Sequence, residues 1–369
     1  MAIEIDADYL GGNIVAERVE GSRLSVRPDL RDTGEWWFWW NFRVRGAAGQ
    51  RLKVRFTDDL GPVGPNGPAM STDGCTWTWA DCEHDKHHFV CDVPPGTDEV
   101  YFAFSFPYLL RDWEQFAGTI ADHPAVRLST LTKTLKGRRV PLMVIGDPES
   151  ARRNVLFTCR HHACESVAGY VLEGAIEHLL SDDAAALRRE TAFSIVPIVD
   201  LDGVEEGDQG KSRRPHDHNR DYVDAPIYPS VQAIQSLMRR LAARRLVLFV
   251  DYHCPWIRNE GNESFFLVEP PEPWASRLHE FAAVLRRTDT GEIPYTGKFD
   301  VPFGTSWNTG QFGAITSGAY VRSVAGSDLR TAFTIECSYS TTEGRPATPE
   351  RARRFGRGFG RAMAEYLES

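Results

Sequence analysis

Histidine and glutamate residues occur at separated points of the chain with a spacing that suits a metal ion. His162 and Glu165 stand three residues apart after the apolar run Val155–Cys159, and His253 directly follows a second apolar run. Two histidines and one carboxylate leave one coordination position open for water, as catalytic zinc requires. Because zinc lowers the pKa of that water and polarises a bound carbonyl, the set predicts hydrolytic chemistry.

A further carboxylate, Glu336, ends a third apolar run and is available for proton transfer. The spacing of His162 and Glu165 taken alone arises by chance in many chains. Its combination with His253 and Glu336, each at the end of an apolar run, is more specific. His161 stands four residues before Glu165 and remains the alternative to His162 as a ligand.

Basic residues are concentrated in one segment of an otherwise acidic chain. The formal net charge is −9, which disfavours nucleic acid or an anionic membrane as the main partner. Lys211, Arg213, Arg214 and Arg220 lie within ten residues and would form a local positive pocket. Since a planar guanidinium grips a carboxylate through two parallel hydrogen bonds, the segment suits a ligand with a free carboxylate.

The elements that would position these residues follow two patterns. Residues 1–107 contain short strand-like runs separated by turn residues, which predicts an all-β sandwich domain. Its strands are expected at Leu24–Arg27, Trp36–Arg45, Leu52–Phe56, His88–Asp92 and Glu99–Phe106.

From residue 108 to 369, strand-like and helical runs alternate, which predicts an α/β catalytic domain. We expect a mixed, mostly parallel sheet flanked by helices. The predicted strands are Pro141–Ile145, Val155–Cys159, Phe193–Val199, Leu246–Tyr252, Ser264–Val268 and Ala332–Ile335. The predicted helices are Ser166–Leu180, Val231–Arg245, Pro273–Arg286 and Pro349–Leu367. Because ligands gather at the carboxyl ends of strands in such sheets, the ionisable residues after the strands should converge.

Three features of the chain bear on its surroundings. The block Trp36–Trp40 would suit a carbohydrate platform, but core and inter-domain packing is favoured because consecutive strand residues face both sides of a sheet. The seven cysteines form no C-x-x-C pair and are interpreted as reduced thiols of a cytoplasmic protein. The sequence contains no apolar run of about 18 residues, so no membrane span is predicted. The acidic start does not resemble a signal peptide.

The order of the motifs resembles a known family. His162-x-x-Glu165, then Asn219-Arg220, His253, and Glu336 in Phe-Thr-Ile-Glu are similar to the M14 zinc carboxypeptidases over roughly residues 128–340. The aromatic stretch Trp36–Arg45, followed by Phe106-Pro107-Tyr108, resembles the N-terminal domain of the cytosolic carboxypeptidase subgroup.

The resemblance implies a role for each of these residues. One zinc ion would be bound by His162, Glu165 and His253, and Glu336 would be the general base acting on zinc-bound water. The C-terminal carboxylate of a peptide or protein substrate would be held by Asn219 and Arg220. Arg214, or else Arg213, would polarise the scissile carbonyl, and Tyr320 is a candidate to face the substrate.

The resemblance also places the subsite for the C-terminal side chain. It would be lined from Thr316–Arg330, where Arg322 and Arg330 are candidates to select an acidic residue, as in the cytosolic subgroup. Cys164 and Cys254 replace residues common in the family and are interpreted as packing residues rather than ligands.

Two other functions remain open at this stage. A zinc amidohydrolase that deacylates a small N-acyl amino acid would use the same ligands. A catalytically silent peptide- or sugar-binding protein would use the Trp36–Trp40 block, although it would not need Glu336 as a base.

Overall fold

The first hundred residues form two five-stranded sheets. The computed structural model describes residues 2–35, 37–259, 261–311, 315–342 and 344–369. The strands of this region are β1 (Glu4–Asp6), β2 (Val15–Glu20), β3 (Arg23–Arg27), β4 (Asn41–Arg45), β5 (Arg51–Phe56), β6 (Ala69–Ser71), β7 (Thr78–Trp79), β8 (Glu83–His84), β9 (His88–Asp92) and β10 (Glu99–Ala103). Strand order is β1-β4-β10-β6-β7 in one sheet and β2-β3-β5-β9-β8 in the other. Alternate residues of β5 are buried, as expected of strands with one face on a core.

The second region contains a seven-stranded mixed sheet, which confirms the predicted α/β fold. Its order is β11-β12-β14-β13-β15-β17-β16, with parallel pairing among the four strands β14, β13, β15 and β17. The strands are β11 (Val126–Lys133), β12 (Arg139–Ile145), β13 (Arg153–Cys159), β14 (Thr191–Val196), β15 (Leu246–His253), β16 (Phe266–Val268) and β17 (Thr331–Glu336). A separate hairpin is formed by β18 (Thr341–Thr342) and β19 (Arg345–Pro346). The central strands β14 and β15 are buried along their whole length.

Helices cover this sheet and include the four that the sequence predicts. They are α1 (Leu110–Ile120), α2 (Val167–Leu180), α3 (Ala185–Glu190), α4 (Leu201–Glu206), α5 (Pro229–Ala242), α6 (Trp274–Arg287), α7 (Ser317–Ala325) and α8 (Pro349–Glu368). Helices α2 and α8 cross closely at Gly174 and Gly356, where an added Cβ would lie about 2 Å from a backbone oxygen of the other helix. None of the described helices has the length and apolar character needed to cross a membrane.

The aromatic block joins the two regions instead of forming a strand. The predicted strand Trp36–Arg45 begins only at Asn41, and Trp36 lies outside the described residues. Phe38 is buried and packs edge-to-face against Trp256 and Tyr339 of the second region. The block therefore contributes to core and inter-domain packing. The boundary near residue 107 stays a prediction; β10 ends before it and α1 begins after it.

The interpretation of all seven cysteines as reduced thiols is wrong. Cys82 and Cys91 form a disulfide, with their Cα atoms 4.8 Å apart. They directly flank the paired residues of β8 and β9, a short hairpin that the sequence analysis did not predict. The described free cysteines are Cys75, Cys159, Cys164, Cys254 and Cys337. Because disulfides are rare in cytosolic proteins, the cysteines no longer support a cytoplasmic location.

Candidate active site

The sheet register brings the predicted ligands and the predicted base together. His253 ends β15 and Glu336 ends β17, and the two residues are direct partners in this parallel pair. His162 lies three residues beyond the end of β13, the neighbour of β15 on its other side. Glu165 follows just before α2. Three adjacent parallel strands therefore deliver all four side chains to one edge of the sheet.

The three predicted metal ligands converge on one point. One ligand atom from each of His162, Glu165 and His253 lies within 4.8 Å of the others, and all three residues are buried. Nδ1 of His162 is 2.9 Å from Oε1 of Glu165, and Nδ1 of His253 is 2.8 Å from Oε2. Oε2 is buried yet makes no hydrogen bond of acceptable geometry. A buried carboxylate oxygen left in this state, beside two imidazole nitrogens, fits a zinc ion between them.

The other nitrogen of each histidine faces a carboxylate. Nε2 of His253 is 2.8 Å from Asp251, and Nε2 of His162 is 3.4 Å from Asp217. Such a carboxylate fixes the ring orientation and leaves the opposite nitrogen free for a metal. The sequence analysis missed both carboxylates. Asp251 was within reach, since residues two apart on a strand share a face.

His161 is not available as a substitute ligand. A second cluster of metal-ligating type joins His161, Asp251 and His253. However, Nδ1 of His161 is 2.9 Å from Asp251 and Nε2 is 2.7 Å from the hydroxyl of Tyr222. Both ring nitrogens are therefore engaged by protein groups, which leaves His162 as the histidine that faces Glu165 and His253.

The charges around the centre favour a bound cation. Burial opposes ionisation of Glu165, but the charges of Lys211, His162 and His253 outweigh it and hold its pKa well below the usual value. Burial likewise opposes protonation of His253, yet Asp251 and Glu165 raise its pKa well above 6.5. The local potential is thus negative enough to hold protons on the ring nitrogens, and a metal ion would take their place.

Glu336 has the properties of a group that exchanges a proton near neutral pH. Burial raises its pKa to about 7; the charge of His253 opposes this shift and that of Glu165 adds to it. Its Oε2 atom is buried and has no hydrogen-bond partner in the described protein. A base of this pKa beside the metal ligands is suited to accept a proton from water.

A cavity of about 330 Å³ opens onto this centre and is called the main cavity here. Among the residues that line it are His162, His253, Glu336, Asn219, Arg220 and Arg322. Phe303 and Trp307 also line it and are largely exposed. A cavity of this size is large enough to hold a small ligand.

Asn219 and Arg220 enter the main cavity on a single 3₁₀ turn, His218–Arg220. The Asp217 side chain caps the turn by accepting from the amide of Asn219, and the amide of Ser317 donates to Oδ1 of Asn219 at 2.9 Å. The next residue, Asp221, accepts hydrogen bonds from the backbone amides of Ile227 and Tyr228 just before α5.

Neither predicted carbonyl-polarising arginine reaches the centre. Arg213 is enclosed by three carboxylates, at 2.7 Å from Asp32, 2.8 Å from Asp200 and 2.7 Å from Asp208. Arg214 is exposed and lines a different cavity of about 280 Å³ beside Arg213. The chain turns away from the metal ligands at this point, because the backbone of this segment pairs with the N-terminal region around residues 32–34.

The predicted substrate-facing tyrosine also lies elsewhere. Tyr320, on α7, hydrogen-bonds through its hydroxyl to Arg239 of α5 and packs near Tyr222. It is not among the residues that line the main cavity. Its partners explain this position, since α5 and α7 pack together on one face of the sheet.

The two cysteines near the metal ligands behave as packing residues. Burial raises the pKa of Cys164 to about 11, and its sulfur contacts the hydroxyl of Tyr339 at 3.4 Å. Burial also raises the pKa of Cys254 well above its usual value. Neither cysteine belongs to a cluster of metal-ligating side chains in the part of the chain that the structure describes.

Two family models match the chain. The zinc carboxypeptidase model of the M14 family matches residues 114–254, and the cytosolic carboxypeptidase N-terminal domain model matches residues 5–105. The chain is therefore similar to the M14 zinc carboxypeptidases over its middle part and to the cytosolic carboxypeptidases over its N-terminal part.

Related proteins from other organisms match about half of the chain. The chain is 27% identical over 211 residues to an uncharacterised protein of Zymomonas mobilis, which covers 55% of each sequence. It is 29% identical over 188 residues to cytosolic carboxypeptidase 3 of Bos taurus, covering 46% of this chain and 19% of that protein. The chain thus spans about half the length of the first relative and about a fifth of the length of the second.

The fold of the whole chain matches solved bacterial enzymes. A metallo-carboxypeptidase from Burkholderia cenocepacia superposes with a TM-score of 0.81 and 20% identity, covering 100% of this chain and 99% of that one. A metallo-carboxypeptidase from Pseudomonas aeruginosa superposes with a TM-score of 0.81 and 21% identity, covering 99% of each chain. At these identities the superpositions establish the shared fold alone.

Proposed function

We propose that this protein is a zinc-dependent metallocarboxypeptidase that hydrolyses the C-terminal peptide bond of peptides or proteins. The observation that carries the proposal is that both histidines of the zinc-fitting triad border one cavity together with Glu336 and Arg220. A metal centre, a base and a carboxylate anchor are the parts that cleavage at a free C-terminus requires.

Each residue of the site has a separate role in the proposed reaction. Zinc held by His162, Glu165 and His253 would polarise the scissile carbonyl and lower the pKa of the attacking water. Glu336 takes a proton from that water as the oxygen adds to the carbonyl carbon, and delivers a proton to the amine nitrogen as the carbon–nitrogen bond breaks. Arg220, with Asn219, holds the C-terminal carboxylate and so fixes which bond is attacked.

The C-terminal side chain would enter the main cavity beside Arg322. This arginine lines the cavity, and burial lowers its pKa to about 10. Its guanidinium lies 5.7 Å from the ring centre of Trp274 and makes a long contact of 3.4 Å with the carbonyl oxygen of Ala332. An acidic side chain would supply a counter-charge, so we propose a preference for acidic C-termini. Arg330 is outside this cavity and bonds the carbonyl of Tyr366.

A direct assay tests the function. The purified protein is analysed for metal and incubated with a mixture of peptides, and released amino acids are identified by mass spectrometry. We expect about one zinc per chain and release of single C-terminal residues, lost on chelation and restored by zinc. Release of internal fragments, or hydrolysis confined to N-acyl amino acids, would refute the proposal.

The two alternative functions have no comparable support. The matched family models describe carboxypeptidases, and no feature of the main cavity singles out a small N-acyl amino acid. Phe38, Trp39 and Trp40 are buried, so these three residues of the aromatic block offer no surface for a sugar. For a cytoplasmic location, the remaining support is the word "cytosolic" in the relatives' names.

A further inference from the structure

A lysine that the predictions did not assign to catalysis contacts the metal centre. Nζ of Lys211 is 2.8 Å from Oε1 of Glu165, and it donates a hydrogen bond of 2.7 Å to the carbonyl oxygen of Cys254. The side chain is only 14% exposed. Among the ion pairs of the described residues, this is the one in which a lysine or arginine contacts the triad.

The ammonium is held in place from three directions. Glu165 belongs to the loop before α2, Cys254 follows the end of β15, and the ring of Trp37 from the N-terminal region lies 5.6 Å away. An ammonium group has three N–H donors, and the two acceptors named above use two of them. One donor therefore remains for a ligand, on a group that is already immobilised.

Lys211 also lies near the proposed base. The carboxylate of Glu336 stabilises the charge on Lys211, in addition to the larger contribution from Glu165. The ammonium therefore sits within electrostatic reach of both sides of the centre, the ligand and the base. A carbonyl oxygen that reached Glu165 from the main cavity would meet this ammonium, although Lys211 itself is not among the residues that line that cavity.

A positive side chain at this point would add to the polarisation of the scissile carbonyl that zinc would supply. When water adds to the carbonyl carbon, the π electrons move to the carbonyl oxygen, and a fixed donor aimed at that oxygen lowers the barrier. The arginines predicted for this task are unsuited to it, because Arg213 is neutralised by three carboxylates and Arg214 faces another cavity. Arg220 and Arg322 line the main cavity and are proposed above to contact the C-terminal residue.

We propose that Lys211 is a catalytic residue whose ammonium donates its third hydrogen bond to the scissile carbonyl oxygen and stabilises the negative charge that develops there. The inference rests on the proposed carboxypeptidase function. A purely structural role is the competing explanation: Lys211 would only hold Glu165 in position as a metal ligand. The two roles predict different results for zinc binding and for transition-state affinity.

The test compares Lys211→Met, Lys211→Gln and the control Lys136→Met. Gln retains donors for Glu165 and Cys254 but lacks the charge. Lys136 also pairs with a glutamate, Glu206, but its side chain is largely exposed. For each protein, zinc content, kcat and KM on a peptide, and the affinities for a product amino acid and for a phosphonate peptide analogue are measured.

For the catalytic role we expect both Lys211 variants to keep about one zinc and their affinity for the product within a few-fold. Their kcat should fall by about 10²–10³, and the affinity for the phosphonate, whose tetrahedral anion mimics the transition state, should fall in parallel. Lys136→Met should match the wild type in every measurement.

Three results would overturn the inference. Normal kcat in both Lys211 variants would refute it outright. Loss of zinc with an unchanged kcat per zinc-loaded molecule would assign Lys211 a structural role through Glu165. A fall in kcat without weaker phosphonate binding would exclude stabilisation of the transition-state charge. An inactive wild type would refute the proposed function itself, which separates the two failures; if Lys211→Met does not fold, Lys211→Gln decides.

Discussion

Replacement of Arg220 by alanine tests recognition of the substrate carboxylate. The side chain lines the main cavity beside Asn219, and its Nη1 atom donates to the carbonyl oxygen of Asn219 at 3.0 Å, which limits its freedom. Removing one partner of a charge-assisted contact, while the other partner stays buried, costs about 2–5 kcal/mol of binding free energy. At about 1.4 kcal/mol per decade, kcat/KM should fall by roughly 30- to 5,000-fold.

The assay uses two peptides that differ only in a free or an amidated C-terminus. The wild type should cleave the acid well and the amide poorly. Arg220→Ala should lose activity on the acid while changing the amide little, because the amide lacks the group that Arg220 binds. Arg240→Ala, on the exposed surface of α5, is the matched control and should behave as the wild type.

Equal cleavage of the acid and the amide by the wild type would refute the exopeptidase reasoning. So would a similar loss on both peptides in Arg220→Ala, because that result would assign Arg220 a structural role in the turn His218–Arg220 rather than a contact with the carboxylate.

Three other expectations follow from the geometry. His253→Ala should lose zinc and activity together, measured by metal analysis and turnover; retained stoichiometric zinc would contradict the assigned triad. Glu336→Gln should keep zinc and fold but lose turnover by several orders of magnitude, and a near-normal rate would exclude Glu336 as the base. Burial raises the pKa of Glu173 to about 6, above the usual 4.5, so this group favours the folded state below about pH 4.5 and loses that effect as pH rises through 6. The measurement is the free energy of unfolding in urea for the wild type and for Glu173→Gln. The wild-type value minus the variant value should fall by roughly 2 kcal/mol from pH 4 to pH 7. A difference between the two proteins that does not change with pH would contradict this expectation.

The strands and the residues at their ends were largely predictable from local sequence. The continuous apolar runs at β13, β15 and β17 follow from burial on both faces of a parallel sheet, and the observed bounds extend the predicted ones by one or two residues. The helix α7 was missed, since it is short and its composition is mixed. The sandwich hairpin that pairs Cys82 with Cys91 was missed for a similar reason, as its strand β8 has two residues.

The convergence of His162, Glu165, His253 and Glu336 was set by the sequence itself, because residue type and strand-end position together identify a metal centre in a parallel sheet. The roles of the basic segment were decided only by tertiary structure. Lys211, Arg213 and Arg214 are near neighbours in sequence, yet one contacts Glu165, one is enclosed by carboxylates and one faces another cavity. The physical reason is that the path of the backbone decides which partner each charged side chain of a loop can reach. In this loop the path depends on pairing with the N-terminal region, which no local sequence pattern encodes.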